Sequence, residues 1–404
     1  MSIRFLVNIV CCMIPFPHIR RNVRHGLRMR FSTEKYFRRH LSRRPVIIWF
    51  DHALGGGTET YSRRQFADLQ DRYDIIRIQY YPGKFGGFKL TNPRNRDALW
   101  QIPDLTMFAT FCRTISVHEI VVNNLVIYAD APAVLQVISH LKQMLPTVPT
   151  VSFRGHDFYC VCPSFNLMNC DNVYCDLSYR RRCEYCWKHR IMSPRTKDNI
   201  AFRSGVKSIA DWRKSWGDFF ENTVDEIILF SPAIEKIFTR VYPSVAHKIK
   251  IIPHQVRAYP RVSVRPHTDI NIAVLGNMSY QKGAGVITEM AGHLPPNVHI
   301  FVIGNMKNAP ENIHVHGPYR PHNLPRIMSR YKIDVVLIPS VCPETFSYTT
   351  SEAMSMGIPV ACYNMGAPAE RVSKYEHGLM LDEIAPQKNL NEIINFVYEH
   401  RKRK

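Results

Sequence analysis

Four short segments hold side chains whose types and spacing could do chemistry. The first runs Pro343-Glu344-Thr345-Phe346-Ser347-Tyr348-Thr349-Thr350-Ser351-Glu352, just after the apolar run 335–338. Glu344 would stand in the loop at the carboxyl end of a strand. Thr345 or Ser347 could cap the helix that follows and free the backbone amides of Phe346, Ser347 and Tyr348 for a diphosphate. Glu352 falls about two turns into that helix. Two carboxylates flanking an anion-binding helix start could hold hydroxyl groups on either side of a diphosphate, one on a sugar and one on a ribose. In the second segment, Leu275-Gly276-Asn277-Met278-Ser279-Tyr280-Gln281-Lys282-Gly283, a strand ends in glycine and a Lys-Gly pair opens a helix. Lys282 there would reach a phosphate with the helix dipole behind it.

The third segment, Asp51-His52-Ala53-Leu54-Gly55-Gly56-Gly57-Thr58-Glu59-Thr60, takes an apolar strand into three glycines and a helix. Gly56 and Gly57 would let the backbone approach a ligand, and the helix amides would favour an anion. The loop is neither G-x-G-x-x-G nor a Walker A loop, and a purely structural turn is the other reading. The fourth segment is rich in cysteine: six of the eleven lie between 160 and 186. Cys162, Cys175 and the C-x2-C pair Cys183 and Cys186 offer four thiolates to a structural zinc ion, with Cys160 and Cys170 as competing ligands. Redox-variable pairs and free packed thiols are the alternatives. A long chain without a convincing export signal disfavours a disulfide framework.

Positioning these residues requires strands that end beside one another. Apolar runs at 46–50, 74–78, 119–123, 150–153, 226–230 and 250–252 alternate with helical patterns at 58–71, 131–145 and 232–242. The alternation stops over 253–270, which is rich in proline and basic residues, and resumes with strands at 272–275, 298–303, 334–338 and 359–362 and a helix at 389–401. Such alternation predicts two doubly wound, parallel-sheet domains. The expected division is a basic arm over 1–44, a first domain over 45–252 carrying a Cys-rich insertion over 156–190, a linker over 253–270 and a second domain over 271–404. Ligands of such sheets sit at the carboxyl ends of the strands, so a cleft between the two domains is the expected site.

The formal charge of +20 is uneven. Residues 1–45 hold eleven Lys or Arg against one acid, whereas the remaining residues hold 42 bases against 32 acids. An apolar stretch over 3–16, interrupted by Asn8 and Pro15, precedes the basic run. Together they read as an interfacial anchor for an anionic membrane surface, with a solvated basic arm as the alternative. The 45% hydrophobic content excludes a disordered chain, and no run of about 18 apolar residues predicts a transmembrane helix.

Segment 343–360 resembles the E-x7-E signature of retaining nucleotide-sugar glycosyltransferases of family 4, which have the GT-B fold: α/β, two doubly wound Rossmann-like domains facing a central cleft. Glu344 and Glu352 stand at its acidic positions. Asp51–Glu59 is similar to that family's first-domain Gly-Gly-x-Glu loop, Leu275–Gly283 to its Lys-Gly motif, and Gly366-Ala367-Pro368-Ala369-Glu370-Arg371 to the loop after the signature's next strand. Within the family, bacterial enzymes that build surface polysaccharide of the lipopolysaccharide or capsule type look most similar. The resemblance implies that Glu352 binds the ribose and that Glu344 binds the donor sugar. Lys282 would neutralise the leaving diphosphate, with help from the amides of Phe346, Ser347 and Tyr348. His156 would contact the donor sugar near the reaction centre; a packed histidine beside Asp157 is the other reading. The family commonly carries Arg five residues before the Lys, where this chain has Asn277, so phosphate charge would rest on Lys282, helix amides and Arg371 or Arg320. No D-x-D triplet occurs, and the implied reaction needs no catalytic cofactor.

The implied partners are a nucleotide-diphosphate sugar, a glycan or lipid-linked acceptor and an anionic membrane, with no nucleic acid. The implied location is cytoplasmic, peripheral on the inner face of the cytoplasmic membrane. The rivals are a catalytically inactive, nucleotide-binding scaffold, suggested by Asn277, and a nucleic-acid-binding protein, suggested by the basic arm.

Overall fold

The computed structural model describes residues 7–402, apart from 8, 10, 32, 43, 82–86, 96–97, 178–179 and 190–205. Val46–Asp51 (β1) is buried along its whole length, as a strand covered on both faces of a parallel sheet must be. It pairs in parallel with Asp74–Tyr81 (β2) on one side and with Val117–Val122, the fifth strand in chain order (β5), on the other. The two between, Gly87–Thr91 (β3) and Leu99–Ile102 (β4), extend the β2 edge as antiparallel neighbours. Thr150–Arg154 (β6), Glu226–Leu229 (β7) and Ile249–Ile251 (β8) complete an eight-stranded sheet of order β4-β3-β2-β1-β5-β6-β7-β8.

A second sheet holds Ile270–Met278 (β9), Val298–Met306 (β10), His314–Val315 (β11), Val335–Ile338 (β12), Val360–Tyr363 (β13) and Gly378–Leu381 (β14), in the order β11-β10-β9-β12-β13-β14. Every pairing in it is parallel. Period-two alternation along β9 sends side chains to both faces. Ile270, Ile272 and Val274 pack with Ile287, Met290 and Ile393. Ala273 and Leu275 pack with Met328, Ala353 and Met356. Two covered faces are the expected double winding.

The chain divides into two compact units. The first takes its residues from 1–163, 195–228 and 241–250, and the second from 164–194, 229–240 and 251–404. Two segments fall differently in this division than in the expected domains. The basic arm is built into the first unit as helices Pro17–Phe31 and Glu34–Arg39, which pack on β4. Phe37 is buried there against Trp100 and Phe111, with ring centroids 6.2 Å away in each case. Met13 and Phe16 stay exposed, at 83% and 58%.

The Cys-rich insertion, expected in the first domain, belongs from Ser164 onward to the second unit. The reason is two hydrogen bonds: the Tyr280 hydroxyl donates to the Asn172 carbonyl at 3.0 Å, and Arg240 donates to the Asp176 carbonyl at 2.9 Å. A tight turn shapes the segment, with the Asn169 side chain accepting from the amides of Asp171 and Val173. The linker is irregular, as its prolines dictate, but it packs on the second unit. Val262 donates to the Met356 carbonyl at 2.9 Å, and the His254 ring stacks on Phe346 with centroids 4.5 Å apart.

Candidate active site

β9 and β12 are neighbours, so the loops leaving their carboxyl ends run side by side. Gly283 lets them close up. Its φ is +82°, and a Cβ there would lie 2.0 Å from the Pro339 carbonyl oxygen, an approach only glycine permits. Lys282 Nζ consequently sits 2.6 Å from Glu344 Oε2. The other carboxylate oxygen accepts from the Ser340 hydroxyl. Burial pushes the Glu344 carboxyl up, but Lys282, with the Ser340 and Ser347 hydroxyls, outweighs it and holds the group below the usual carboxylate range. Glu344 is nearly enclosed, with 11% of its side chain exposed, whereas the Lys282 side chain is 47% exposed. The lysine therefore keeps access to a second anion.

The backbone of Glu344 is fixed by the segment after β13. A Cβ on Gly366 would lie 2.8 Å from the Glu344 nitrogen, and the Ala367 amide donates to the Glu344 carbonyl at 2.9 Å. Ser347 occupies the cap position of helix Tyr348–Ser355 with φ of 64°, and its side chain makes no capping hydrogen bond. Its hydroxyl instead accepts from Thr350 at 2.9 Å. Arg371 supports the turn from beneath. It donates to the carbonyls of Ser347 and Ala367 and to the Ser351 hydroxyl, and its guanidinium lies 4.6 Å over the Phe346 ring. Burial pulls its pKa down to about 10 despite Glu344 and Glu370 nearby. Arg371 is thus committed to holding the loop. The Tyr348 hydroxyl is 2.7 Å from His254 Nδ1, which ties the turn to the linker.

Glu352 lies on the same helix. Its charge reaches Tyr319, whose phenol is pushed up first by burial and then by that carboxylate. Tyr319 lines a cavity of about 530 Å³ together with His316, Arg320, Asn323, Arg326 and Arg330. Asn277 stands at the exposed end of β9 and accepts from the Asn305 amide at 2.8 Å. What it offers a ligand is its own NH2 group.

Gly56, Gly57 and His156 belong to the first unit. Gly56 and Gly57 open helix Gly56–Leu69, and no atom lies within 4 Å of where a Cβ on Gly56 would sit. Tyr61 on this helix meets the His156 ring edge-on at 4.9 Å. His156 Nε2 lies 2.9 Å from Asn123 Oδ1. Asp157 turns away from His156 and accepts from Asn124 at 2.6 Å and from the Tyr159 amide at 2.8 Å. Beneath Asn123 lies Asp51, fully buried and paired with Arg77 at 2.7 Å. Arg77 also pairs with Glu59. Burial would raise Glu59, but Arg77 and Arg63 hold it below its ordinary value.

Sequence reasoning overlooked Asn123, Asn124 and Arg77. The available signal was the pair of asparagines closing an apolar strand at its carboxyl end, where ligands of parallel sheets are met.

The expected zinc ligands were Cys162, Cys175, Cys183 and Cys186. Among the described residues no three His, Cys, Asp or Glu side chains form a group that could hold a metal ion. Cys162 belongs to the first unit, and Cys175, Cys183 and Cys186 to the second. The neighbours of Cys186 are Cys170 and Cys183, and burial pushes its thiol up to about 11.

Residues 255–404 match the family model of glycosyl transferases group 1. No curated protein matches the chain. Solved structures match over nearly the whole chain. Anabaena HepE in complex with UDP-glucose superposes with a TM-score of 0.55 at 14% identity, covering 88% of this chain and 91% of that one. Sucrose-phosphate synthase from Thermosynechococcus elongatus gives 0.59 at 14% identity, covering 88% and 90%. WaaG, a glycosyltransferase involved in lipopolysaccharide biosynthesis, gives 0.53 at 14% identity, covering 87% and 90%. The part from residue 255 onward is therefore a glycosyl transferases group 1 domain, and the chain, which has the GT-B fold, is a glycosyltransferase.

Proposed function

We propose that this chain transfers a sugar, with retention of anomeric configuration, from a nucleotide-diphosphate sugar to a glycan or lipid-linked acceptor of a bacterial surface polysaccharide. The observation that carries the reading is the Lys282–Glu344 pair beside the open start of helix Tyr348–Ser355. A donor diphosphate placed at that helix start would meet amides that no side chain of Ser347 occupies, and the half-exposed Lys282 ammonium. As the sugar–phosphate bond breaks, negative charge grows on the phosphate and positive charge on the sugar ring. Lys282 answers the first, and the ionised Glu344 answers the second. The leaving phosphate then assists removal of the acceptor's proton. Glu352 would hold the ribose, and the adjoining cavity beside Tyr319 would receive the base. Asn277 would donate to a phosphate oxygen. His156, with Gly56 and Gly57, would serve from the first unit.

The chain would work from the inner face of the cytoplasmic membrane. Its exposed Met13 and Phe16 next to a basic helix support that placement. Among the described residues no helix is long and apolar enough to cross a membrane.

The test is a thermal-shift panel of nucleotide diphosphates and nucleotide sugars with and without EDTA, followed by NMR of the product. One nucleotide sugar should raise the melting temperature whether or not chelator is present, and the transferred sugar should keep its anomeric configuration. Stabilisation without turnover would favour the inactive scaffold suggested by Asn277. No shift with any nucleotide would remove the proposed site.

A further inference from the structure

The chain of hydrogen bonds behind His156 assigns every proton. The Asp51 carboxylate only accepts, and it is paired with Arg77. Its Oδ2 takes the Ser62 hydroxyl proton at 2.9 Å and two guanidinium protons from Arg77 at 3.0 and 2.7 Å. Its Oδ1 takes the His52 amide at 2.9 Å and the Asn123 side-chain nitrogen at 3.0 Å. Ser62 has spent its one proton on Asp51, so at 3.2 Å from Asn123 it accepts. Both neighbours of the Asn123 side-chain nitrogen are therefore acceptors. Flipping the amide would set its oxygen against a carboxylate oxygen and a hydroxyl lone pair inside a fully buried cluster. The orientation of Asn123 is fixed by its surroundings, and its carbonyl faces His156 Nε2 at 2.9 Å.

We infer that Asn123 is a positioning residue that holds the His156 proton on Nε2, so that whenever the ring is neutral it is the Nε2–H tautomer with its acceptor lone pair on Nδ1. A carbonyl has no proton to give, so Nε2 must supply the one in that bond. Tyr61, edge-on to the ring, restrains its tilt. Asp157 takes no part, because its carboxylate is engaged by Asn124 and Tyr159. Consecutive asparagines after β5 thus hold consecutive residues after β6, one each. The substrate group that meets Nδ1 must then be a hydrogen-bond donor, which a sugar hydroxyl is and a phosphate or ionised carboxylate is not. This last step rests on the proposed role of His156 in sugar transfer; the tautomer does not.

The experiment is nitrogen-15 NMR of the full chain labelled at histidine, with His156 assigned by its loss in His156→Gln. In the wild type at neutral pH, the two-bond proton–nitrogen pattern should be that of the Nε2–H form. Asn123→Ala should give a mixed or inverted pattern. In Asn123→Asp a carboxylate replaces the carbonyl and favours the imidazolium, so the His156 titration should move to higher pH. The acid limb of kcat/KM should move with it. A wild-type Nδ1–H pattern overturns the inference, as does an unchanged pattern in Asn123→Ala. If the variants fold poorly, the wild-type spectrum alone decides the tautomer. The correct tautomer with unaltered kcat/KM in all the variants, His156→Gln included, would leave the lock standing and remove His156 from sugar transfer.

Discussion

Lys282 and Glu344 hold each other directly, whereas His156 is held through Asn123 by the buried Asp51–Arg77 charge pair. In the second unit the charged groups are themselves the reagents. Glycine-permitted contact of two strand-end loops brings them together, and the lysine stays half exposed. In the first unit the charges of Asp51 and Arg77 are buried as foundation, and the His156 imidazole rests on them through Asn123. A group that must respond to changing charge is kept near solvent, and a group that must keep one orientation is anchored to charges that cannot move. The two clusters should therefore fail differently.

Substitution of the direct pair should have the largest effect on turnover. Glu344→Gln and Lys282→Met should each lower kcat by about 10²–10³-fold, the scale for losing one preorganised electrostatic partner. Nucleotide binding, read by thermal shift, should survive in Glu344→Gln. Full turnover in either variant would take these residues out of the chemistry. The foundation pair should instead show itself in stability. Arg77→Ala leaves Asp51 buried and uncompensated, which costs about 3–5 kcal/mol in urea unfolding. Lys282→Met should cost less, because Glu344 keeps the Ser340 and Ser347 hydroxyls and can take up a proton. Equal losses would erase the contrast.

Gly283→Ala should come next, at about 1–3 kcal/mol from the left-handed backbone alone. It should also reduce kcat by parting Lys282 from Glu344. A variant that loses stability with normal kcat would show that loop contact does not set the pair. The pH response is smaller. Glu344 titrates below its ordinary value of 4.5 in the folded chain. Its stabilisation is therefore complete above that value and fades as pH falls through the folded pKa. In Lys282→Met burial is opposed by the Ser340 and Ser347 hydroxyls without the lysine, so the acid limb of kcat should move to higher pH. An unmoved limb would assign it to another group.

The least effect on chemistry is expected at the exposed apolar end of the first unit. Phe16→Asp and Met13→Asp should weaken binding to anionic vesicles in flotation while turnover on a soluble acceptor is unchanged. Equal flotation would remove the membrane surface as a partner. Deleting residues 1–44 is a poorer test, since it takes Phe37 out of the core.

The second unit was legible because its signals are local. Val335–Ile338, the loop bearing Glu344 and the helix bearing Glu352 are consecutive in the chain, so period and spacing carried the reading. The edge strands Gly87–Thr91 and Leu99–Ile102 were not legible, being four or five residues of mixed polarity whose pairing is settled by neighbours. The helix Pro17–Phe31 was hidden by its arginines, which read as part of a membrane-facing anchor or a solvated arm, although the segment packs on β4. The His156 support was hidden for another reason: Asp51, Ser62, Arg77, Asn123 and His156 are scattered over a hundred residues, and no spacing rule joins them. The cysteines were legible in part: Cys183 lies beside Cys186 as their spacing implies, and Cys170, given as a competing ligand, lies there too.

The bond between Asn172 and Tyr280 also bears on how the chain is made. Its two ends are 108 residues apart, and the first unit is itself not complete until Lys250. At the usual pace of synthesis, Tyr280 is added about 5–20 s after Asn172. Through that interval the cysteine segment, with its thiols reduced and close in sequence, exists without the surface that will hold it. Its correct docking is a late event of biogenesis, and the steps most exposed to oxidation or to chaperone capture fall before most of the second unit has been synthesised.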